Sequence, residues 1–131
     1  LGWVMSTAGH IFVDRGRSDM ALKSLEKAKL SLIKMPRSVL LFPEGTRTRD
    51  GSLGQFKQGG LLISVDTGIP IVPVAFKGTF EMLEKGSWSM KNHSVEMRVG
   101  KPISPDSYSY ETRRELANDV KTKVQELLSK A

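Results

Sequence analysis

Phe42-Pro43-Glu44-Gly45-Thr46-Arg47-Thr48-Arg49 is the stretch of this 131-residue chain that says most about its fold and its chemistry. It continues an apolar run that begins at Val39 and is typical of a buried strand. Its glycine allows a sharp turn or a close approach to a ligand. Its two arginines suit an anion such as phosphate, which guanidinium groups bind through paired hydrogen bonds. A charged surface turn is the simpler alternative.

Composition and charge narrow the class of protein. The chain has the composition of one globular domain, or part of one, with 39% apolar and 26% charged residues. The absence of cysteine excludes disulfides and thiolate metal sites. A net charge of +6 favours anionic membranes, phosphorylated substrates or nucleic acid. Aromatic residues are few and do not alternate with basic ones, which argues against nucleic acid. No apolar run approaches the ~20 residues of a membrane span, and no signal peptide is recognisable.

The order of apolar runs and turn residues predicts an α/β fold with a mostly parallel sheet flanked by helices. Four leucine or isoleucine positions should form the buried stripe of the first helix, and Pro36 should end it. Gly68 should close the second helix. Pro70 and Pro73 should place the third strand near a sheet edge. The predicted strands are 11–13, 39–42, 69–76 and 95–99, and the predicted helices are 18–35, 56–65 and 110–129. The predicted inward residues are Leu22, Leu25, Leu32 and Ile33 in the first helix and Leu116, Val120, Val124 and Leu127 in the last. Residues 78–92 should form a loop with at most one helical turn.

Two predicted strand ends carry arginines, and ligands of open α/β sheets bind at such ends. If the strands are parallel, Arg15 and Arg17 share an edge with Glu44–Arg47. Lys57, at the start of the next predicted helix, adds an ammonium group and nearby backbone N–H groups. These residues together predict one anion pocket, although each basic residue alone is more typical of solvated surface.

Four residues invite a catalytic interpretation. His10 and Asp14 are separated by about 13 Å in an extended strand, so their side chains cannot touch and a general-base role is disfavoured. His93 has no partner nearby in the sequence. Glu44 has two open alternatives: it accepts a hydrogen bond from a substrate hydroxyl, or it pairs with Arg47 or Arg49.

On these motifs, the sequence resembles the glycerolipid acyltransferases, in particular the 1-acylglycerol-3-phosphate (lysophosphatidic acid) acyltransferases. The block that begins at Phe42 is similar to the most specific motif of that family. Residues 9–15 (Gly-His-Ile-Phe-Val-Asp-Arg), 56–59 (Phe-Lys-Gln-Gly) and 71–74 (Ile-Val-Pro-Val) resemble further blocks. The resemblance implies a glycerolipid acyltransferase-like fold over most of the chain.

The resemblance also implies a reaction and its partners. A fatty acyl group would pass from a thioester, either acyl-CoA or acyl carrier protein, to the sn-2 hydroxyl of lysophosphatidic acid, giving phosphatidic acid. Arg15, Arg47 and Lys57 would bind the phosphate, and Glu44, Gly45 and Thr46 would shape the acceptor site. No metal or other cofactor is implied, and the partner surface would be the cytoplasmic face of the cell membrane, reached peripherally or through an upstream anchor.

The family's catalytic His-x-x-x-x-Asp pair lies upstream of the Gly-x-Ile-Phe block, and only eight residues precede Gly9 here. His10 and Asp14 are one residue too close and occupy the later block. We therefore expect residues 1–131 to be the C-terminal two-thirds of a single acyltransferase domain, with no catalytic residue of its own. We expect such a fragment to be marginally folded, domain-swapped or poorly active. The alternative function is a non-catalytic module that binds anionic lipid or a membrane surface.

Overall fold

A computed structural model describes residues 18–35 and 38–129. The chain divides into two compact units, residues 1–40 and residues 41–131. The first unit contains helix α1 (Ser18–Lys34), as the sequence predicts. Ala28 and Leu32, one turn apart, are buried, whereas Ile33 is 60% exposed. The prediction of an inward Ile33 was therefore wrong, and the side chains of Leu22 and Leu25, together with Pro36, lie outside the described residues.

The second unit contains the remaining elements. In chain order they are α2 (Gln58–Thr67), β1 (Val74–Lys77), α3 (Thr79–Met82), β2 (Glu96–Val99) and α4 (Arg113–Ser129). Gly68 ends α2 in the left-handed conformation, with φ 69°, and its N–H donates to the carbonyl of Ser64. This confirms the predicted cap, since a residue without a Cβ adopts that conformation at no steric cost.

Strands β1 and β2 form an antiparallel pair in which Val74 faces Val99 and Lys77 faces Glu96. An isolated bridge between Ile71 and Ile103 extends the pairing. The described sheet therefore differs from the predicted parallel one. Residues 78–95 return the chain directly without a crossover, and such a connection joins antiparallel strands.

The run 39–42, predicted as a strand, is not one in the described residues. A strand exists only where its backbone groups pair with another strand, and the strand predicted at 11–13 lies outside the described residues. The side chains of Leu40 and Phe42 are largely exposed.

Helix α4 holds the second unit together. Its predicted inward positions, spaced three to four residues apart, are all buried, which confirms the helical stripe. Leu116 is fully buried against α2, and Val124 and Leu127 pack with Ala75 of β1. Arg98 of β2 donates from Nη1 to the carbonyl of Leu127 at 2.8 Å and so satisfies a carbonyl near the helix end. This packing fixes α2 and the hairpin relative to α4.

Candidate functional site

The motif loop, defined as residues 42–57, begins with a tight turn. The N–H of Gly45 donates to the carbonyl of Phe42 at 3.0 Å, with Pro43 and Glu44 between them. Proline and glycine stand where such a turn favours them, because proline fixes φ for the second position and glycine is common at the fourth. Gly45 itself has φ 69°, which favours a residue without a Cβ.

Two hydrogen bonds close the motif loop across its base. The N–H of Lys57 donates to the carbonyl of Pro43 at 2.8 Å, and the N–H of Gly54 donates to Oε2 of Glu44, also at 2.8 Å. Within the described residues no ion pair joins Glu44 to Arg47 or Arg49. The pairing of Glu44 with Arg47 or Arg49 is not seen, because this carboxylate bonds the backbone of its own loop, and its bond to a substrate hydroxyl stays a prediction. The hydrogen bond to Gly54 holds the two sides of the loop together.

Lys57 stands at the N-terminal boundary of α2 and lies directly over Gly45. A Cβ added to Gly45 would lie 3.1 Å from both Cε and Nζ of Lys57. Helix α2 has no side-chain cap and no acidic residue in its first turn. A lysine therefore stands at an uncapped helix N-terminus, whose free N–H groups and partial positive charge favour an anion.

Arg47 is exposed, and its guanidinium makes no hydrogen bond or ion pair with any residue that the structure describes. The neighbouring Thr46 accepts a hydrogen bond at Oγ1 from Nζ of Lys85, at 3.3 Å. Lys85 lies well outside the motif, in the segment after α3. Arg47 and Lys85 both line one groove, and Lys57 lies over Gly45 of the same loop.

A groove of about 420 Å³ runs along this loop. Its basic lining residues are Arg47, Lys77 and Lys85, its acidic ones are Glu44, Asp50 and Glu81, and its apolar ones include Leu53, Phe76, Phe80 and Leu128. A groove lined by both charged and hydrocarbon side chains suits an amphiphile with a charged group.

Asp50 adds a fixed negative charge to the groove wall. Its Oδ1 accepts from Oγ of Ser52 at 2.8 Å and from the N–H of Ser52 at 3.1 Å. These hydrogen bonds, the one from the hydroxyl first, lower the pKa of the Asp50 carboxyl below 3.8. The groove is therefore not uniformly positive, and an anionic ligand should keep to the part lined by Arg47 and Lys85.

Most predicted site residues meet around this loop, and the others do not. Glu44, Gly45, Thr46, Arg47 and Lys57 are close together, as described above. His93 does not line the groove, and its Nδ1 bonds the carbonyl of Ser94 at 2.9 Å. Arg15, Arg17, His10 and Asp14 lie outside the described residues.

Lys85 and Phe80 were missed by sequence reasoning. They belong to a stretch rich in Gly, Ser and Lys that carries no motif. The one sequence feature that could have pointed to them is that this stretch directly follows a predicted strand. Among residues 18–35 and 38–129 the structure has no cluster of His, Asp and Glu able to hold a metal ion. In the same part of the chain no helix has the length and apolar character to cross a membrane.

Comparison with known proteins identifies the family. A family model described as Acyltransferase matches residues 1–77, more than half of the chain. The chain belongs to the acyltransferase family. A chloroplastic 1-acyl-sn-glycerol-3-phosphate acyltransferase of Brassica napus is 38% identical over 104 residues, which cover 79% of this chain and 30% of that protein. The Pseudomonas aeruginosa 1-acyl-sn-glycerol-3-phosphate acyltransferase is 32% identical over 99 residues, 76% of this chain and 38% of that protein.

A solved member of the family has the same fold. The crystal structure of the 1-acyl-sn-glycerophosphate (LPA) acyltransferase PlsC from Thermotoga maritima superposes with a TM-score of 0.76 at 30% identity. The match covers 99% of this chain and 52% of that one. It confirms the predicted acyltransferase-like fold. The chain spans about a third of the length of the two curated relatives and about half of the Thermotoga protein.

Proposed function

We propose that this chain carries the acceptor site of an enzyme that transfers a fatty acyl group from an acyl thioester to the sn-2 hydroxyl of lysophosphatidic acid. One observation carries the proposal: Lys57, at the uncapped N-terminus of α2, lies over Gly45 of the motif, and neither it nor Arg47 has an acidic partner among the described residues. Family membership supplies the reaction class.

In this proposal the phosphate of the acceptor lies between Lys57, Arg47 and the first N–H groups of α2, and its glycerol backbone follows the groove. Charge-assisted hydrogen bonds fix the phosphate, and fixing it orients the hydroxyl on the neighbouring carbon of the glycerol. Glu44 acts on the shape of the loop through Gly54. Arg15, which the family resemblance assigns to the same phosphate, stays a prediction.

The transfer itself joins the acceptor oxygen to the thioester carbonyl carbon and breaks the carbon–sulfur bond. The hydroxyl proton ends on the departing thiol, and a general base relays it. The family resemblance assigns that base to the His of a pair upstream of the Gly-x-Ile-Phe block. The donor is acyl-CoA or acyl carrier protein, with no metal or other cofactor, and the reaction belongs at the cytoplasmic face of the membrane.

Binding by the whole chain tests the proposal directly. We compare lysophosphatidic acid with a monoacylglycerol of the same acyl chain, both below their aggregation concentrations. Lys57→Met and Arg47→Met should each lower the affinity for lysophosphatidic acid by about tenfold or more, since a hydrogen bond to a charged group contributes about 1.5–3 kcal/mol. Binding of the monoacylglycerol should stay unchanged.

Lys101→Met is the matched control, because it removes the same charge from an exposed position. Lys101 follows the Val74–Val99 end of the β1–β2 pair, whereas Lys77, which lines the groove, is at the other end. Equal affinity for the two lipids in the unsubstituted chain would refute the acceptor site. So would an equal loss of affinity in the control variant.

A further inference from the structure

A short ordered turn lies beside the groove, in the Trp88 segment, defined as residues 84–91. The N–H of Ser87 donates to the carbonyl of Glu84 at 3.1 Å, and the carboxylate of Glu84 pairs with Nζ of Lys91 at 2.5 Å. The N–H of Lys91 returns to the carbonyl of Met82 at 2.9 Å. These contacts close the segment at its base.

Two apolar side chains project from this turn into solvent. Trp88 is 101% exposed and Met90 is 69% exposed. Ser87 and Ser89, on either side of the tryptophan, bond each other and leave its ring outside. An exposed tryptophan on a hydrogen-bonded turn is the kind of feature that marks a contact surface, because burying its large ring is strongly favourable.

Charge accompanies these apolar side chains. Lys85 and Lys91 flank Trp88, against one acidic residue, Glu84, in the segment. The whole chain carries a net charge of +6. Tryptophan rings settle at the boundary between lipid headgroups and acyl chains, and lysines beside them are attracted to anionic headgroups. This combination fits an anionic bilayer.

We propose that the Trp88 segment contacts the membrane, with Trp88 entering the interfacial layer of an anionic bilayer next to the groove. Lys85 connects the two features, because it belongs to the segment, lines the groove and donates to Thr46 of the motif loop. This inference rests on the proposed function, because a lipid acceptor has to reach the groove from a bilayer.

Fluorescence of a single tryptophan tests this placement. The chain has two tryptophans, so Trp3→Phe leaves Trp88 alone. Vesicles contain phosphatidylcholine with or without phosphatidylglycerol, and a matched set carries bromine atoms high on the acyl chains as a quencher. With anionic vesicles, the Trp88 emission should shift to the blue and the brominated lipid should quench it. In the matched control, Trp3→Phe and Trp88→Phe are combined with Tyr110→Trp, which places the reporter at another exposed position. That reporter should show neither effect.

Cosedimentation with the same vesicles measures the strength of the contact. Trp88→Ala should weaken it by about tenfold or more, because the ring is the largest apolar group of the segment. Lys85→Gln should weaken it about fivefold on anionic vesicles, and have no effect on neutral ones.

A Trp88 emission that stays aqueous while the chain cosediments would overturn the proposal, as would absence of cosedimentation. Equal quenching at position 110 would also overturn it. None of these readouts depends on turnover, so a chain that fails to transfer acyl groups still reports on its membrane contact.

Discussion

Replacing Gly45 by alanine should separate the structural role of the motif loop from its binding role. Gly45 has φ 69°, a conformation that costs a residue with a Cβ about 1–2 kcal/mol. The new Cβ would also lie 3.1 Å from Cε and Nζ of Lys57, which is tighter than an ordinary contact. The end of a lysine side chain can move away with little strain. We therefore expect a loss of about 1–2 kcal/mol in the free energy of unfolding.

The displaced ammonium should lower the affinity for a phosphate. A hydrogen bond to a charged group contributes about 1.5–3 kcal/mol, and a shifted Lys57 loses much of it, so binding of sn-glycerol 3-phosphate should weaken about tenfold. Urea denaturation measures the stability, and titration calorimetry measures the affinity.

The chain offers a control for the backbone cost. Gly68 also has φ 69°, but a Cβ added there meets no atom within 4 Å. Gly68→Ala should lose a similar free energy of unfolding and keep its phosphate affinity. If both variants bind the phosphate equally, Lys57 is not part of the anion site. Lys57→Met checks the same point without touching the backbone, and unchanged binding by it would refute the reasoning.

Three other outcomes follow from contacts in the second unit. Glu44→Ala should speed hydrogen exchange at the amide of Gly54 and cost about 1–3 kcal/mol, because that N–H loses its acceptor; Glu44→Gln should restore part of both. Leu116→Ala should lower the free energy of unfolding by about 3–5 kcal/mol in urea titrations, since this fully buried side chain leaves a cavity; a loss below 1 kcal/mol would contradict the described core. The pKa of the Asp50 carboxyl is lowered in the folded chain. The stability that this carboxylate contributes is therefore fully present above its ordinary pKa of 3.8 and is lost as the pH falls through the folded pKa. Asp50→Asn should remove this part of the acid dependence, as measured by thermal unfolding between pH 5 and 2.

The parts of the fold that the sequence predicted well are those set by local periodicity. The inner face of α4 follows from residues spaced three to four apart, and Gly68 follows from the left-handed cap. Helix α2 begins after Lys57, two residues later than predicted. Phe56 is apolar and extends the pattern, but Lys57 stays extended so that its N–H reaches the carbonyl of Pro43.

Long-range features were harder to predict. The antiparallel return from β1 to β2 depends on how residues 78–95 close, which no local pattern encodes. In the candidate site, Glu44 to Arg47 and Lys57 were found because they form a motif. Lys85 was missed because its proximity to Thr46 is a property of the folded chain across 39 residues of sequence.

Gly78 gives the Trp88 segment a distinct evolutionary freedom. It has φ 92°, and a Cβ there would overlap the carbonyl oxygen of Ser94. The two ends of residues 79–93 are therefore in close contact at Gly78 and Ser94. Lengthening a loop whose ends are already held together costs only about 0.6 kcal/mol for each doubling of its length. Insertions and deletions should therefore accumulate between these two points while the glycine itself resists replacement. The sequence of the segment can then change between homologues without disturbing β1 and β2, which flank it.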